Sequence, residues 1–173
     1  MKTFILGGVR SGKSRLAETL AKQSNQQVVY IATATAGDAE MQARIQSHIE
    51  NRPKNWIVVE ESLNLSATIE KYSNKNYCIL IDCLTLWLTN LLLCDDDVIL
   101  SAQCESFKQS LDDCNDNIII VSNETGLGIM PLGELSRRYG DEAGVMNQSV
   151  AAICDRVVLT VAGLPLTLKG IPL

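Results

Sequence analysis

Short apolar runs alternate along this chain with longer segments whose apolar residues recur at helical spacing. The runs are rich in β-branched residues and are predicted as strands: Thr3–Leu6, Val28–Ala32, Trp56–Val59, Tyr77–Ile81, Ile118–Val121 and Val157–Val161. The predicted helices between them are Lys13–Lys22, Ala39–Asn51, Leu65–Tyr72, Thr85–Leu93 with Val98–Cys114, and Gly133–Cys154. This alternation predicts an α/β fold. Because the runs are almost continuously apolar, we expect a sheet that is parallel at its centre and covered on both faces.

The remaining patterns favour a single domain over residues 1–173. The segment Val161–Leu168 has a Gly and a Pro between two apolar stretches, which predicts a terminal hairpin or edge strand. The acidic triplet Asp95–Asp97 separates two predicted helices and is interpreted as a solvated loop and N-cap rather than a metal site. With 46% hydrophobic residues, the chain can bury a core without disulfides or a structural metal.

The charge and cysteine content exclude several classes of function. A net charge of -5 provides no basic field for wholesale binding to nucleic acid or anionic membranes, so phosphate binding must be local. The apolar run at the N-terminus is too short for a signal peptide or a membrane span. Six cysteines without a Cys-x-x-Cys pair are typical of reduced, structural thiols. We therefore expect a cytoplasmic protein.

A phosphate-binding loop follows the first predicted strand. The pattern Gly-x4-Gly-Lys-Ser occupies Gly7, Gly8, Val9, Arg10, Ser11, Gly12, Lys13 and Ser14. Backbone amides of such a loop converge on phosphate oxygens, and the positive end of the following helix points at them. Lys13 is expected to reach the outer phosphates, and the Ser14 hydroxyl is the expected protein ligand of Mg²⁺.

A second metal ligand is expected where an acidic residue ends another apolar strand. Asp82 directly follows the apolar run Cys78–Ile81. The same carboxylate could instead cap the helix predicted to begin near Thr85, and the two roles are compatible.

The single histidine lies in a predicted helix with three charged residues at intervals of four. Glu40, Arg44, His48 and Arg52 would share one face. That face could be solvated, with an idle histidine and a Glu40–Arg44 pair. Alternatively, the two guanidiniums hold phosphates and lower the pKa of His48, which stays neutral and can attack an α-phosphate.

Eight parts of the chain together form a pattern that is more specific than the phosphate loop alone: the phosphate loop, Tyr30–Ala34, Arg44–His48, Arg52–Trp56 with Glu60, Asp82–Leu92, Val121–Pro131, Asp141–Gln148 and Val161–Gly170. With these segments the chain resembles one family, the bifunctional adenosylcobinamide kinase/adenosylcobinamide-phosphate guanylyltransferases of cobalamin synthesis. The resemblance implies a RecA-like P-loop fold, Mg²⁺ and a homotrimer. It also implies two reactions: phosphorylation of adenosylcobinamide by ATP or GTP, and transfer of GMP from GTP through a guanylyl-histidine to adenosylcobinamide phosphate. The products of the second are adenosylcobinamide-GDP and pyrophosphate.

The resemblance also assigns residues by position. His48 is implied to be the covalent nucleophile. The nucleotide would be contacted by the phosphate loop together with Thr33, Ala34, Thr35, Ile49, Glu50, Asn51, Arg52, Glu60 and Asp82. The chain departs from the family pattern at Ile49, where a basic residue is common, and at Ser62, where proline is common. The first departure removes one potential phosphate contact.

Two alternatives and two further segments stay open at this point. The chain could be a single-function P-loop kinase of a small metabolite with a structural His48, or a nucleotide-binding regulatory module without turnover. Asn123-Glu124 follows a predicted strand, where loop residues commonly meet ligand. Arg137-Arg138 could contact phosphate or face solvent.

Overall fold

The computed structural model describes residues 1–35 and 53–173 of the chain. Its strands are β1 (Lys2–Gly7), β2 (Gln27–Ala32), β3 (Ile57–Glu60), β4 (Tyr77–Asp82), β5 (Asn117–Asn123), β6 (Arg156–Val161) and β7 (Leu164–Lys169). Its helices are α1 (Lys13–Gln23), α2 (Leu65–Tyr72), α3 (Leu84–Leu93), α4 (Asp97–Asp113) and α5 (Glu134–Ile153). The predicted helix Ala39–Asn51 lies outside the described residues. Each of the other predicted strands and helices is confirmed, with ends that differ by two residues at most.

The strands form a seven-stranded sheet in the order β3-β2-β4-β5-β1-β6-β7. All pairs are parallel except β6 with β7. The phosphate-loop strand β1 therefore lies between β5 and β6, and β4 is one strand further away. The carboxyl ends of parallel strands lie along the same edge of a sheet. Gly7, Asp82 and Asn123, at the ends of β1, β4 and β5, therefore all lie along this carboxyl edge.

Helices cover both faces of the sheet, which explains the continuous apolar runs. Helix α1 lies on one face, where Ala17 and Ala21 join Ile5, Leu80 and Val121 in a buried cluster. The other helices cover the opposite face, where the cluster includes Trp87 of α3, Phe107 of α4 and Met146 of α5. Alternate residues of each central strand enter the two clusters.

The predicted terminal hairpin is confirmed as β6 and β7, joined by a two-residue turn. Ala162 and Gly163 both have positive φ, at 52° and 81°, as a tight hairpin turn of this length requires. Pro165 pairs with Thr160, and β7 is the last strand of the sheet. A proline is tolerated there because the outer side of an edge strand needs no donor.

The acidic triplet also behaves as predicted. The Asp96 carboxylate caps α4 by accepting hydrogen bonds from the backbone amides of Val98 at 2.9 Å and Ile99 at 3.1 Å. Asp97 forms an exposed ion pair with Arg138. Among the described residues, no helix is long and apolar enough to cross a membrane.

Candidate nucleotide-binding site

The phosphate loop joins the buried end of β1 to the first turn of α1. Gly7 has no room for a side chain, because a Cβ there would lie 2.4 Å from the Ser11 hydroxyl oxygen and 2.6 Å from the Thr160 carbonyl oxygen. Arg10 and Gly12 have positive φ, at 54° and 96°. Gly12 occupies the N-cap position of α1 in the left-handed conformation, and no side chain caps the helix. The first amides of α1 are therefore available to an anion.

The hairpin turn between β6 and β7 packs against the phosphate loop. The backbone amide of Gly163 donates to the Ser11 carbonyl at 2.8 Å, and a Cβ on Gly12 would lie 3.1 Å from the Gly163 Cα. This close backbone contact explains why glycines meet at both positions. The Ser11 hydroxyl is buried without a hydrogen-bond partner among the described residues.

Lys13 is the buried cation of the site. Its side chain is only 9% exposed, and its Nζ donates to the Gly8 carbonyl at 2.9 Å. Burial lowers the pKa of Lys13 from its usual range, while charge interactions with Cys83 and Asp82 oppose this shift. The side chain thus lies folded along the loop, close to the end of β4.

Asp82 ends β4 as predicted, but it does not cap the next helix. Its Oδ2 accepts a hydrogen bond from the Tyr30 hydroxyl at 3.2 Å. The N-cap of α3 is Cys83, which makes no side-chain capping hydrogen bond. The capping alternative for Asp82 is therefore wrong, because the extended backbone of Cys83 separates it from the helix. Tyr30 itself is buried against Trp56, with ring centroids 6.2 Å apart.

Thr33 connects the ends of β2 and β4. It is fully buried, and its hydroxyl donates to the Cys83 carbonyl at 2.7 Å while it accepts from the Cys83 amide at 2.9 Å. This pair of bonds fixes the strand end that leads from Thr33 through Ala34 and Thr35. Desolvation, with a smaller contribution from the Asp82 charge, raises the pKa of Cys83 to about 11, so its thiol stays protonated near neutral pH.

Asn90 connects α3 to the loops that follow β2 and β3, and it was not predicted as a site residue. Its Nδ2 donates to the Thr33 carbonyl at 2.9 Å and to the Ser62 carbonyl at 3.2 Å. Its Oδ1 accepts from the Thr35 hydroxyl at 3.1 Å. An amide is suited to this position because it carries both donors and an acceptor. One sequence signal existed, since Asn90 interrupts the apolar sequence of α3.

Strand β5, between β1 and β4, ends at Asn123, and Glu124 follows it. The Glu124 amide donates to the Gly7 carbonyl at 3.1 Å, and the Asn123 amide donates to the Thr85 hydroxyl at 2.8 Å. The pair therefore lies beside the phosphate loop, and its contact with a ligand stays a prediction. The Arg137 guanidinium donates to the Leu132 carbonyl, and Arg138 forms an ion pair with Asp97.

Glu60 is the remaining predicted site residue within the described ranges. Glu60 ends β3, is exposed and pairs with Ala32 at the same edge of the sheet. The residues predicted from the histidine segment lie outside the described residues: Glu40, Arg44, His48, Ile49, Glu50, Asn51 and Arg52. Over the described ranges, no group of three or more His, Cys, Asp and Glu side chains could hold a metal ion by itself. All six cysteines are free.

The parallel sheet, the glycine-rich loop with its buried lysine and the carboxylate at the end of β4 define a P-loop nucleotide-binding protein. The structure of the RadB recombinase has a similar fold, with a TM-score of 0.51, 16% identity and coverage of 91% of this chain and 73% of RadB. A profile of the family "Cobinamide kinase / cobinamide phosphate guanyltransferase" matches residues 3–168. The chain therefore belongs to this family, as the sequence resemblance indicated.

Two curated relatives support this assignment along the whole chain. The "Bifunctional adenosylcobalamin biosynthesis protein CobP" of Pseudomonas aeruginosa is 57% identical over 173 residues and covers 100% of both chains. The "Bifunctional adenosylcobalamin biosynthesis protein CobU" of Escherichia coli is 37% identical, over 98% of this chain and 100% of the relative. The chain is thus a full-length match to bifunctional enzymes, which favours an enzyme over a regulatory module.

Proposed function

We propose that this chain phosphorylates adenosylcobinamide with ATP or GTP and then guanylylates the product. In the second reaction, GMP passes from GTP through a covalent guanylyl-His48 to adenosylcobinamide phosphate, and adenosylcobinamide-GDP and pyrophosphate are formed. Membership of the kinase and guanyltransferase family supports the two reactions. The observation that carries the proposal is the phosphate loop, in which buried Lys13 donates to the Gly8 carbonyl beside uncapped amides at the start of α1.

The loop provides the groups that bind a triphosphate. The free amides at the start of α1 would bind phosphate oxygens, and Lys13 would exchange its bond to the Gly8 carbonyl for an outer phosphate oxygen. An incoming phosphate also offers an acceptor to the unpaired Ser11 hydroxyl. The nucleotide base and ribose would be contacted from Thr33–Thr35, Ile49–Arg52 and Glu60.

The residues present fit Mg²⁺ bound together with a nucleotide. Ser14 in the first turn of α1 and Asp82 offer hard oxygen ligands, and Asp82 uses one carboxylate oxygen for Tyr30. No cluster among the described residues could hold the ion alone. We therefore propose that Ser14 and Asp82 hold Mg²⁺ only with phosphate oxygens and water, as is usual for this ion. Bound there, Mg²⁺ would neutralise phosphate charge.

His48 is the proposed nucleophile of the second reaction. It is the single histidine of the chain. A neutral ring nitrogen would attack the α-phosphorus of GTP, the bond to the α–β bridging oxygen would break, and pyrophosphate would leave. A phosphate oxygen of adenosylcobinamide phosphate would then displace His48. The segment that carries His48 follows directly after Thr35, whose hydroxyl is held by Asn90.

Labelling with GTP that carries the label on the α-phosphate tests this assignment. We expect an acid-labile GMP adduct on the denatured wild-type protein and none on His48→Ala, which should still phosphorylate adenosylcobinamide. Lys13→Ala should lose both activities because it removes the phosphate cation. A wild-type protein that phosphorylates adenosylcobinamide without forming the adduct would favour the alternative, a single-function kinase with a structural His48.

We also propose that the chain is a single domain that assembles as a homotrimer in the cytoplasm. Exposed apolar side chains support assembly: Leu127, Ile129 and Leu132 are 85%, 99% and 96% exposed, and the β7 residues Leu164 and Leu166 are 72% and 57% exposed. Clusters of exposed apolar side chains are typical of contacts between protein chains. Sedimentation analysis would measure the stoichiometry.

A further inference from the structure

A second pocket lies on the face of the sheet opposite α1, between α5 and the strands β1, β6 and β7. Its volume is about 410 Å³. It runs along the helix from the loop after β5 to the end of β7, with Leu6 and Val157 on its sheet side. Gly140, Gly144 and Asn147 border it from α5. The pocket is thus separate from the α1 amides and reaches the sheet edge that carries the phosphate loop.

The helix side of this pocket is kept open by glycines. Gly140 and Gly144 lie in the interior of α5, where glycine is unfavourable compared with alanine. A Cβ at either position would meet no described atom within 4 Å, so packing in the described chain does not demand glycine. The polar lining is mainly neutral, because Asn147 and Gln148 contribute amides. The Lys169 ammonium is already bonded to the carbonyls of Ala151 and Ala152.

The pocket meets the phosphate loop at Glu124. The backbone of Glu124 is fixed to Gly7, while its side chain lines the pocket. Its Oε1 accepts a hydrogen bond from the Gly126 amide at 2.6 Å, and its other oxygen has no such partner among the described residues. A carboxylate oxygen that can accept a further hydrogen bond therefore lies at the junction of pocket and loop.

We propose that this pocket binds the hydroxyl-bearing arm of the phosphoryl acceptor, an amide-bearing corrinoid, and that Glu124 accepts the proton of the reacting hydroxyl. This inference depends on the proposed kinase function and adds its acceptor site. The hydroxyl oxygen forms a bond to the γ-phosphorus, the bond to the β–γ bridging oxygen breaks, and the nucleoside diphosphate leaves. The proton passes to the Glu124 carboxylate and then to solvent. Asn147 and Gln148 would pair with amides of the corrinoid periphery.

Filling the pocket tests the binding site. Gly144→Phe places a ring in the pocket, whereas Val145→Phe enlarges an exposed neighbour, 61% exposed on the same helix, that does not line it. With cobinamide as acceptor, we expect Gly144→Phe to raise the acceptor KM at least about tenfold and to leave the nucleotide KM unchanged. Val145→Phe should change neither constant. Asn147→Ala is the second variant should Gly144→Phe fold poorly, and it should raise the acceptor KM severalfold.

Glu124→Gln tests the role of the carboxylate. We expect the kcat of cobinamide phosphorylation to fall about a hundredfold or more, with guanylylation of His48, which needs no acceptor, near the wild-type rate.

Unchanged acceptor KM values in Gly144→Phe and Asn147→Ala would overturn the inference, as would a Gly144→Phe protein with an altered oligomeric state. Failure of the proposed function is distinguishable, because the wild-type protein would then lack cobinamide-dependent phosphorylation.

Discussion

Replacing Asn90 with alanine should destabilise the loops that carry Thr33, Thr35 and Ser62 without removing a predicted nucleotide contact. The substitution removes hydrogen bonds to the carbonyls of Thr33 and Ser62 and from the Thr35 hydroxyl. At about 1 kcal/mol each, the three bonds amount to about 3 kcal/mol. Because Thr33 is fully buried, its carbonyl would lose a partner that water cannot readily replace. For a domain of this size, that loss corresponds to a fall in Tm of about 6–12 °C.

The functional effect of Asn90→Ala should fall mainly on guanylylation. The strand end Thr33–Thr35 leads directly to the segment with His48, whereas the phosphate loop makes no hydrogen bond to Asn90 within the described ranges. We expect the rate of adduct formation from GTP to decrease more than the rate of cobinamide phosphorylation. Thermal unfolding and α-phosphate labelling, both performed well below the new Tm, measure the two effects.

Thr89→Ala is the matched control for this prediction. Among the described residues, the Thr89 hydroxyl bonds to the Thr85 carbonyl within α3 alone, so its loss should cost little stability and leave both activities unchanged. A variant Asn90→Ala with wild-type Tm and wild-type guanylylation would refute the reasoning. Equal losses of both activities would refute the positioning role but not the contribution to stability.

Three further predictions concern the loop, a helix cap and the thiols. Gly7→Ala should reduce nucleotide affinity at least about tenfold, measured by calorimetric titration, because its Cβ would displace Ser11 or the Thr160 backbone; unchanged affinity would contradict the loop geometry. Asp96→Ala should lower the stability to urea by about 1 kcal/mol, since α4 loses its N-cap, and an unchanged midpoint would contradict this. Burial raises the pKa of Cys154 to about 12. An alkylating reagent at neutral pH should therefore modify exposed Cys94 first, and Cys154 only after unfolding or at strongly alkaline pH. Mass spectrometry of the modified peptides measures this order.

Much of the fold could be predicted because the patterns reflect strong physical constraints. Strands buried on both faces must be continuously apolar, and the runs at β1, β4 and β5 left few alternatives. The terminal hairpin could be predicted from a Gly and a Pro between two apolar runs, although the turn itself is Ala162-Gly163 and Pro165 lies in β7. Strand order could not be predicted from the patterns themselves, since any parallel strand can neighbour any other until helices and loops select the order.

The site was predicted only where one residue type is chemically necessary. Lys13 and Asp82 could be proposed because phosphate chemistry demands a lysine at the end of the loop and metal chemistry a carboxylate at a strand end. Asn90 and Tyr30 were missed, because each acts through hydrogen bonds between segments far apart in sequence. The capping alternative for Asp82 failed because the N-cap position of α3 is taken by Cys83, and an error of one residue at a helix start decides which side chain can cap it.

The most direct test of the central claim is whether a GMP adduct on the protein is a true intermediate. Wild-type protein should be loaded with α-labelled GTP, freed of nucleotide, and mixed with adenosylcobinamide phosphate. We predict that the label leaves His48 and appears quantitatively in adenosylcobinamide-GDP, at a rate at least equal to turnover. Label that remains on the protein, or that is released only as free GMP, would contradict the account.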